Sequence, residues 1–518
     1  MRIITYIILS CFIAACSQSR SGGELEQALK LSGENRNALE AVLGHYKHDS
    51  LKYRASCFLI KNMPYHYSQE DYYLSPEGEK YRPDICKFKN KEELGMHCDS
   101  LTRCRYLEKH DMIYDVLSVD SSFLIKNIDL AFMAWEKPWA RDVPFDVFCT
   151  YILPYRVQTE KISSLREEMM KRFLPLLDSA GVKTPLEACV ALNEHLKSVV
   201  RYQDTGLPFY PTIEETYQSG ISRCDGICNL GTYIMRAVGI PVAVDFTIWP
   251  KMDLGHSWCA VWNDGRFYSF GPGEDQPEVH ARMFSQKRHR RPAKVYRYQF
   301  NPLHYGKISS TGGYQTFLNT PLWRDVTHEY LDKTTEFEVP ILDKEKNNLH
   351  DKAYLCVHNY YEWKPLAVGS YLENGMCSFK NVVGDNIFMV ADVTDNGALR
   401  YLTAPFYVSS NGEVHLFIPR SDQKFSYTFD KKKRSRNYTL HYWDVDRESF
   451  VSIPCKSSTD STQTYEQIPE NALYWLTLPE RIVNQRVFFI YGAQNETYIE
   501  GWEKKTSNLL IYKRLCKV

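Results

Sequence analysis

Charge of one sign, long apolar runs, internal repeats and low-complexity tracts are what this 518-residue chain lacks. Its 63 basic and 63 acidic residues cancel, so no electrostatic footprint argues for nucleic acid as a partner. The two basic concentrations, Lys287–Arg291 and Lys431–Arg434, are short and read as solvated loops. Beyond Cys16 no apolar segment is long enough for a membrane-spanning helix. Without a repeat period, a solenoid or propeller is excluded. Cysteine is not scarce, at 15 residues, but its irregular spacing gives no disulfide framework. His97, Cys98 and Cys104 form a loose group without ligand spacing, so no structural metal is expected. The length exceeds what one hydrophobic core supports and predicts three or four domains.

What is present begins with MRIITYIILSCFIAAC, in which Arg2 precedes an apolar stretch from Ile3 to Ala15. That stretch is too short to span a bilayer and reads as a secretory signal. Ile13-Ala14-Ala15-Cys16 resembles the lipobox of bacterial lipoproteins, which implies Cys16 as the lipidated first residue and acyl chains as the membrane anchor. Residues 17–23 are polar or glycine and read as a tether. No Asp follows Cys16 directly, which by resemblance to lipoprotein sorting implies the outer membrane of a bacterial cell envelope, periplasmic or surface-facing, as in a Bacteroides-type lipoprotein.

The segment richest in chemistry is CDGICNLGTYIMRAVGIPV followed by GHSWCAVWNDGRFYSF. Apolar residues at Ile227, Leu230, Tyr233, Ile234, Ala237 and Val238 have helical spacing, Gly239 caps the helix and Pro241 stops it. Val242, Val244, Phe246 and Ile248 then alternate as one face of a strand. A second strand carries His256, Trp258, Ala260 and Trp262 on one side, and Asp264-Gly265 turns it back into RFYSF. Cys224 therefore opens a helix, where unpaired amides and the macrodipole favour an anion and predict a lowered thiol pKa. His256 is the candidate base for that thiol.

This order, Cys224 at a helix start, RAVGIP at its end and His256-Ser257-Trp258 on a strand, resembles the transglutaminase-like superfamily, the papain-related fold of transglutaminases and bacterial cysteine peptidases. The resemblance covers roughly residues 185–280. It implies nucleophilic catalysis by Cys224 with His256 as general base, on amide or peptide bonds. The family's third member, an Asp, is expected where Gly271 stands. Counting back across the hairpin puts Gly273 opposite His256, so a carboxylate one or two residues on, Glu274 or Asp275, can reach the imidazole after a bend where Gly271, Pro272 and Gly273 break the strand. Resemblance to bacterial lipoproteins with this core, in which such a Gly is followed three residues later by Glu, favours Glu274, with Asp275 as the alternative. Gln218 is a candidate oxyanion amide by likeness to papain-related enzymes, whereas Cys228 and Cys259 read as packing residues. Such chemistry needs no metal and no organic cofactor. Hydrolysis of a peptide, protein or glycopeptide is the expected reaction, with transamidation as the variant in which an amine replaces water. The competing reading is a degenerate core, marked by the missing Asp, that binds envelope glycan or peptide through aromatic surfaces.

The expected fold class is α+β multidomain. Residues 24–178 read as a helical N-terminal domain, and 179–305 as the transglutaminase-like core. Residues 323–420 read as a β-sandwich and 425–518 as a second β-rich domain. Val182–Tyr202 reads as the helix preceding the nucleophile helix. The aromatic residues Trp135, Trp139, Phe145, Phe148, Tyr151 and Tyr155 read as a domain-interface core. A cleft-lining role for them would bring Arg141 or Arg156 to a substrate carboxylate.

Overall fold

The computed structural model describes residues 23–286, 290–305, 317–346, 349–350, 352–394, 397–430, 437–478, 487–491 and 496–499. Cys16 and its tether to Gly22 lie outside the described residues, as do Lys431–Arg434 and most of the Lys287–Arg291 run.

The centre of the molecule is a mixed layer of helices on one sheet. Helix α1 (Arg166–Ala180), helix α2 (Pro185–Leu196) and helix α3 (Cys224–Ala237) pack on strands β1 (Val242–Ile248) and β2 (Gly255–Asn263). A capping box starts α2: Thr184 Oγ1 accepts from the Glu187 N–H at 3.2 Å and the Glu187 carboxylate accepts from the Thr184 N–H at 3.3 Å. Helix α3 departs from the one-sided stripe its apolar spacing suggested. Every residue from Gly226 to Ala237 is buried, so α3 is a central helix wrapped on all sides. Its glycines permit that wrapping. A Cβ on Gly231 would stand 2.5 Å from Pro272 Cβ, and one on Gly226 would stand 2.2 Å from Ser222 Oγ.

Strands β3 (Arg266–Phe270), β4 (Tyr296–Tyr298) and β5 (Trp323–Asp325) complete an antiparallel five-stranded sheet in the order β5-β4-β1-β2-β3. The β2–β3 turn has positive φ at Asp264 (48°) and Gly265 (78°), the two-residue geometry that matches strand twist. Trp323–Asp325, where the change to short alternating runs begins, is hydrogen-bonded as the edge of this core sheet. Three residues are too few to reveal their partner by periodicity. Helix α4 (Pro277–Gln286) covers β3.

N-terminal to this layer, helices Arg36–His45, Ser50–Asn62 and Ser121–Trp135 form a second core that reaches Phe300. The same region also holds a three-stranded antiparallel sheet of Tyr67–Leu74, Lys80–Tyr81 and Leu107–Tyr114, which helical periodicity did not reveal. The inward residues of Tyr67–Leu74 are Ser68, Asp71 and Tyr73, and Leu107–Tyr114 is largely exposed, so neither strand shows apolar alternation. The aromatic set between residues 135 and 155 is core: Trp135 stacks on Phe148 at 4.4 Å and Trp139 Nε1 donates to the Val238 carbonyl at 2.8 Å. Arg156 is committed to Asp115 at 2.6 Å, both fully buried, and is structural.

On the far side of the core sheet lies an eight-stranded sheet made of β6 (Thr335–Pro340), β7 (Ala353–Asn359), β8 (Glu362–Tyr371), β9 (Met376–Val382), β10 (Asn386–Val393), β11 (Leu399–Tyr401), β12 (Phe406–Val408) and β13 (Val414–Leu416). The order is β6-β9-β8-β7-β10-β12-β13, with β11 beside β10. Instead of two facing sheets this is one sheet curled until its first and last strands meet. Leu355, Val357, Phe388 and Val390 fill its interior. Tyr354, Cys356, Ile387 and Met389 point outward and are covered by Trp443, Trp475 and Phe489 of the last β-rich block. Both faces being buried, β7 reads as a continuous apolar run. The last block is built from a three-stranded and a five-stranded antiparallel sheet around a core of its own. No helix among the described residues is long and apolar enough to cross a membrane.

Candidate active site

Cys224 is the first residue of α3, after an extended Arg223 that makes no side-chain cap. The first-turn amides are therefore left for other acceptors. Just ahead of it, Ile221–Ser222 pairs in parallel with Arg201–Tyr202, which brings Tyr202 next to the helix start. The residues read as one helix to Tyr202 thus divide into α2, ending at Leu196, and this short bridge strand.

The main-chain amides of Ser257 and Asp225 favour the Cys224 anion. Burial is the larger influence and pushes the thiol above its ordinary value. Burial likewise drives His256 down to about 4, with the Arg290 guanidinium adding to the effect. The lowered thiol pKa expected from the helix start is thus overturned by desolvation, and the resting pair at neutral pH is thiol and neutral imidazole.

Helix α3 packs on β2, the strand that carries His256, and the Ser257 amide that favours the Cys224 anion is one residue from it. The His256 ring stacks on Trp249 at 5.8 Å and 19°, and leans on Trp258 at 5.7 Å. Trp258 is in turn fixed, its Nε1 donating to Tyr330 Oη at 2.9 Å. Tyr330 donates to Asp245, which Arg297 grips through two bonds of 2.9 and 2.8 Å. Among the described residues no hydrogen bond joins His256 to Cys224 or to a carboxylate.

Beyond β3 the chain turns tightly over 271–275. Gly271 N–H donates to the Asp275 carbonyl at 2.9 Å, Glu274 N–H donates to the Gly271 carbonyl at 3.0 Å, and Asn193 of α2 holds Gly273 N–H at 2.8 Å. The strand break expected at Gly271, Pro272 and Gly273 is present, with Gly273 at φ 68°. Glu274 keeps a solvent-facing side, yet its carboxylate folds inward: Oε2 lies 3.4 Å from where a Cβ on Gly271 would stand. This partial desolvation, with Asp275 adding repulsion and Arg290 opposing, raises its pKa. Asp275 is exposed and contributes its carbonyl to the turn.

Four neighbours escaped the sequence reading. Tyr202, 57% exposed, has its phenol raised first by desolvation and then by Cys224, Asp204 and Glu274. Trp249 supplies the stacking face, and Arg290 the nearby positive charge. His280 on α4 is buried, with Nδ1 and Ser269 Oγ 3.1 Å apart, and is driven to about 3 by burial, His256 and Arg290. Only Tyr202 carried a signal, as the last residue of a segment already placed before the nucleophile. Cys228 and Cys259 are buried packing residues, the latter's Sγ 3.2 Å from Thr232 Oγ1. Gln218 is exposed on the Ile213–Ser219 helix, and among the described residues no hydrogen bond links it to Cys224.

Residues 176–272 match the transglutaminase-like superfamily. Among solved structures the chain is similar to one named a putative cysteine protease, from Cytophaga hutchinsonii, at 16% identity and a TM-score of 0.19. The similarity covers 22% of this chain and 38% of that one. No curated protein matches the chain in sequence. The matched residues hold both Cys224 and His256.

Proposed function

We propose that this protein is a lipid-anchored cysteine hydrolase of the bacterial envelope that cleaves amide or peptide bonds through Cys224, His256 and Glu274. The observation that carries the reading is the packing of α3, which starts at Cys224, against β2, the strand that carries His256. The neutral resting pair makes His256 a general base. As Sγ attacks the substrate carbonyl, the thiol proton passes to the imidazole, and the imidazolium then protonates the departing amine. Water, deprotonated by the same imidazole, releases the acid from the thioester. Glu274, folded into the space that a side chain at 271 would fill, supplies negative charge against the transient imidazolium. Peptides, proteins and glycopeptides are the substrate class, and Cys16 is the residue to carry the anchor at the outer membrane.

The test is turnover of an amide and peptide library by wild type, Cys224→Ala and His256→Ala. Hydrolysis abolished in the first variant, and reduced about 10²–10⁴-fold in the second, supports the reading. Hydrolysis that survives Cys224→Ala overturns it. The absence of a hydrogen bond among Cys224, His256 and Glu274 in the described residues favours a second reading, a degenerate core that binds glycan or peptide. Ligand retention by both wild type and Cys224→Ala, with turnover by neither, would identify that case.

A further inference from the structure

We propose that Asn359, at the tip of the β7–β8 hairpin, is a positioning residue for His256, so that the eight-stranded domain completes the candidate active site. The inference rests on the reading of Cys224 and His256 given above, and deepens it.

The connection between β1 and β2, residues 249–254, begins with the Trp249 ring that stacks on His256 and ends two residues before His256 itself. Trp249 N–H donates to the Leu254 carbonyl at 3.2 Å, and Leu254 sits at φ 67°, a left-handed conformation unfavourable for a non-glycine residue. A loop so placed needs support from outside, and the eight-stranded domain provides it. Asn359 is fully buried, and its side-chain amide is spent on this loop. Nδ2 donates to the carbonyls of Trp249 at 2.8 Å, Met252 at 3.0 Å and Leu254 at 2.9 Å, while Oδ1 accepts from the Leu254 N–H at 2.8 Å. Two flanking bonds join the same elements: Tyr360 N–H donates to Asp253 Oδ1 at 3.0 Å, and Lys251 Nζ donates to the Asp385 carbonyl at 2.6 Å. The hairpin that presents Asn359 turns at Tyr360 and Tyr361, both at positive φ (53° and 71°), a tight turn made without glycine.

The consequence concerns the imidazole. Triads of this kind usually orient the ring with a hydrogen bond that its N–H donates to a partner carboxylate. Here, among the described residues, the His256 ring has no hydrogen-bond partner, and its plane is set by Trp249 and Trp258. Trp258 is anchored inside the core layer through Tyr330. Trp249 is anchored through its own carbonyl to Asn359, in a different domain. Removing the amide strips three carbonyls and one N–H of a buried partner and frees the loop to relax away from Leu254's left-handed conformation. Trp249 then withdraws from the ring that it holds.

The experiment uses the full-length protein and measures alkylation of Cys224 by iodoacetamide at pH 7, read by peptide mass spectrometry. Wild type is compared with His256→Ala, Asn359→Ala, Asn359→Ser, the His256→Ala/Asn359→Ala double variant and Val390→Ala. The last opens a hole inside the eight-stranded sheet without touching the loop. The expected result is about a fivefold slower reaction in Asn359→Ala, comparable to the net loss of one hydrogen bond. Asn359→Ser, which keeps one donor, falls between, and Val390→Ala stays near wild type. The double variant should react like His256→Ala alone, because Asn359 acts through the imidazole. Alkylation of Asn359→Ala at the wild-type rate overturns the inference, as does a loss that persists in full in the His256→Ala background or an equal loss in Val390→Ala. If Asn359→Ala does not fold, Asn359→Ser carries the same comparison. Equal rates in wild type and His256→Ala would instead refute His256 as the base, and the positioning role would fall with it.

Discussion

Cys224, at the start of α3, and His256, on β2, are held by different means. Cys224 is placed by elements close to it in the chain: the bridge at Tyr202 and Ser222, the open first turn of α3, and glycines at 226 and 231 that let neighbours press against the helix. His256 is placed by residues far away. Trp258 is steadied through Tyr330 and Asp245 to Arg297, and Trp249 through Asn359 of the eight-stranded domain. A nucleophile on a buried helix is rigid because the surrounding core is close-packed. A base at the mouth of a loop is only as rigid as what grips the loop. Perturbing the core layer is therefore expected to harm the fold, and perturbing the domain contact to harm the chemistry.

The largest effect expected is on the His256 side. His256→Ala should cut hydrolysis by about 10²–10⁴-fold while the protein stays folded, since the β2 main chain is held by its ladders to β1 and β3. Turnover and calorimetry on the same preparation separate the two.

Acid should come next. His256 at about 4 and His280 at about 3 are neutral when folded, while an unfolded histidine takes up a proton near 6.5. Between those limits the unfolded state binds more protons than the native one, so stability is complete above about pH 6.5 and falls as pH is lowered. Each histidine costs roughly 1.4 kcal/mol per pH unit in that window. Denaturant midpoints at pH 7.0 and 5.5 would show it, and His280→Gln should flatten the slope.

On the nucleophile side, Gly231→Ala places a methyl 2.5 Å from Pro272. It should destabilise the protein by about 1–3 kcal/mol, with a smaller change in Cys224 reactivity for whatever remains folded. Urea titration checks this, and an unchanged midpoint would show that the 271–275 turn yields easily. The smallest difference sought is between two adjacent carboxylates. Glu274→Gln should slow hydrolysis about tenfold, corresponding to roughly 1.4 kcal/mol of transition-state stabilisation, and Asp275→Asn should leave it unchanged. A reversed pair would transfer the third role to Asp275.

Much of the candidate site was legible because its signals are local. The start of α3 at Cys224, its end near Gly239, the two strands after it and the Asp264-Gly265 turn are written in spacing and turn chemistry, and each is present as expected. The three-stranded sheet among the N-terminal helices was not legible, because its inward residues are Ser68, Asp71 and Tyr73 rather than an apolar row. The single curled sheet was read as two, because alternation cannot show that both faces of β7 and β10 are covered. The direction of the Cys224 shift was misjudged for a related reason: a helix start is visible in sequence, but the depth at which it is buried is not.

The sequence by itself determined which residues could do chemistry and in what order, since capping, periodicity and hairpin turns depend on neighbours a few positions apart. Only the tertiary structure decided the protonation state of that pair and the identity of what steadies it. Desolvation and long-range hydrogen bonds arise between segments more than a hundred residues apart, as where Asn359 meets Trp249, and no local pattern encodes them.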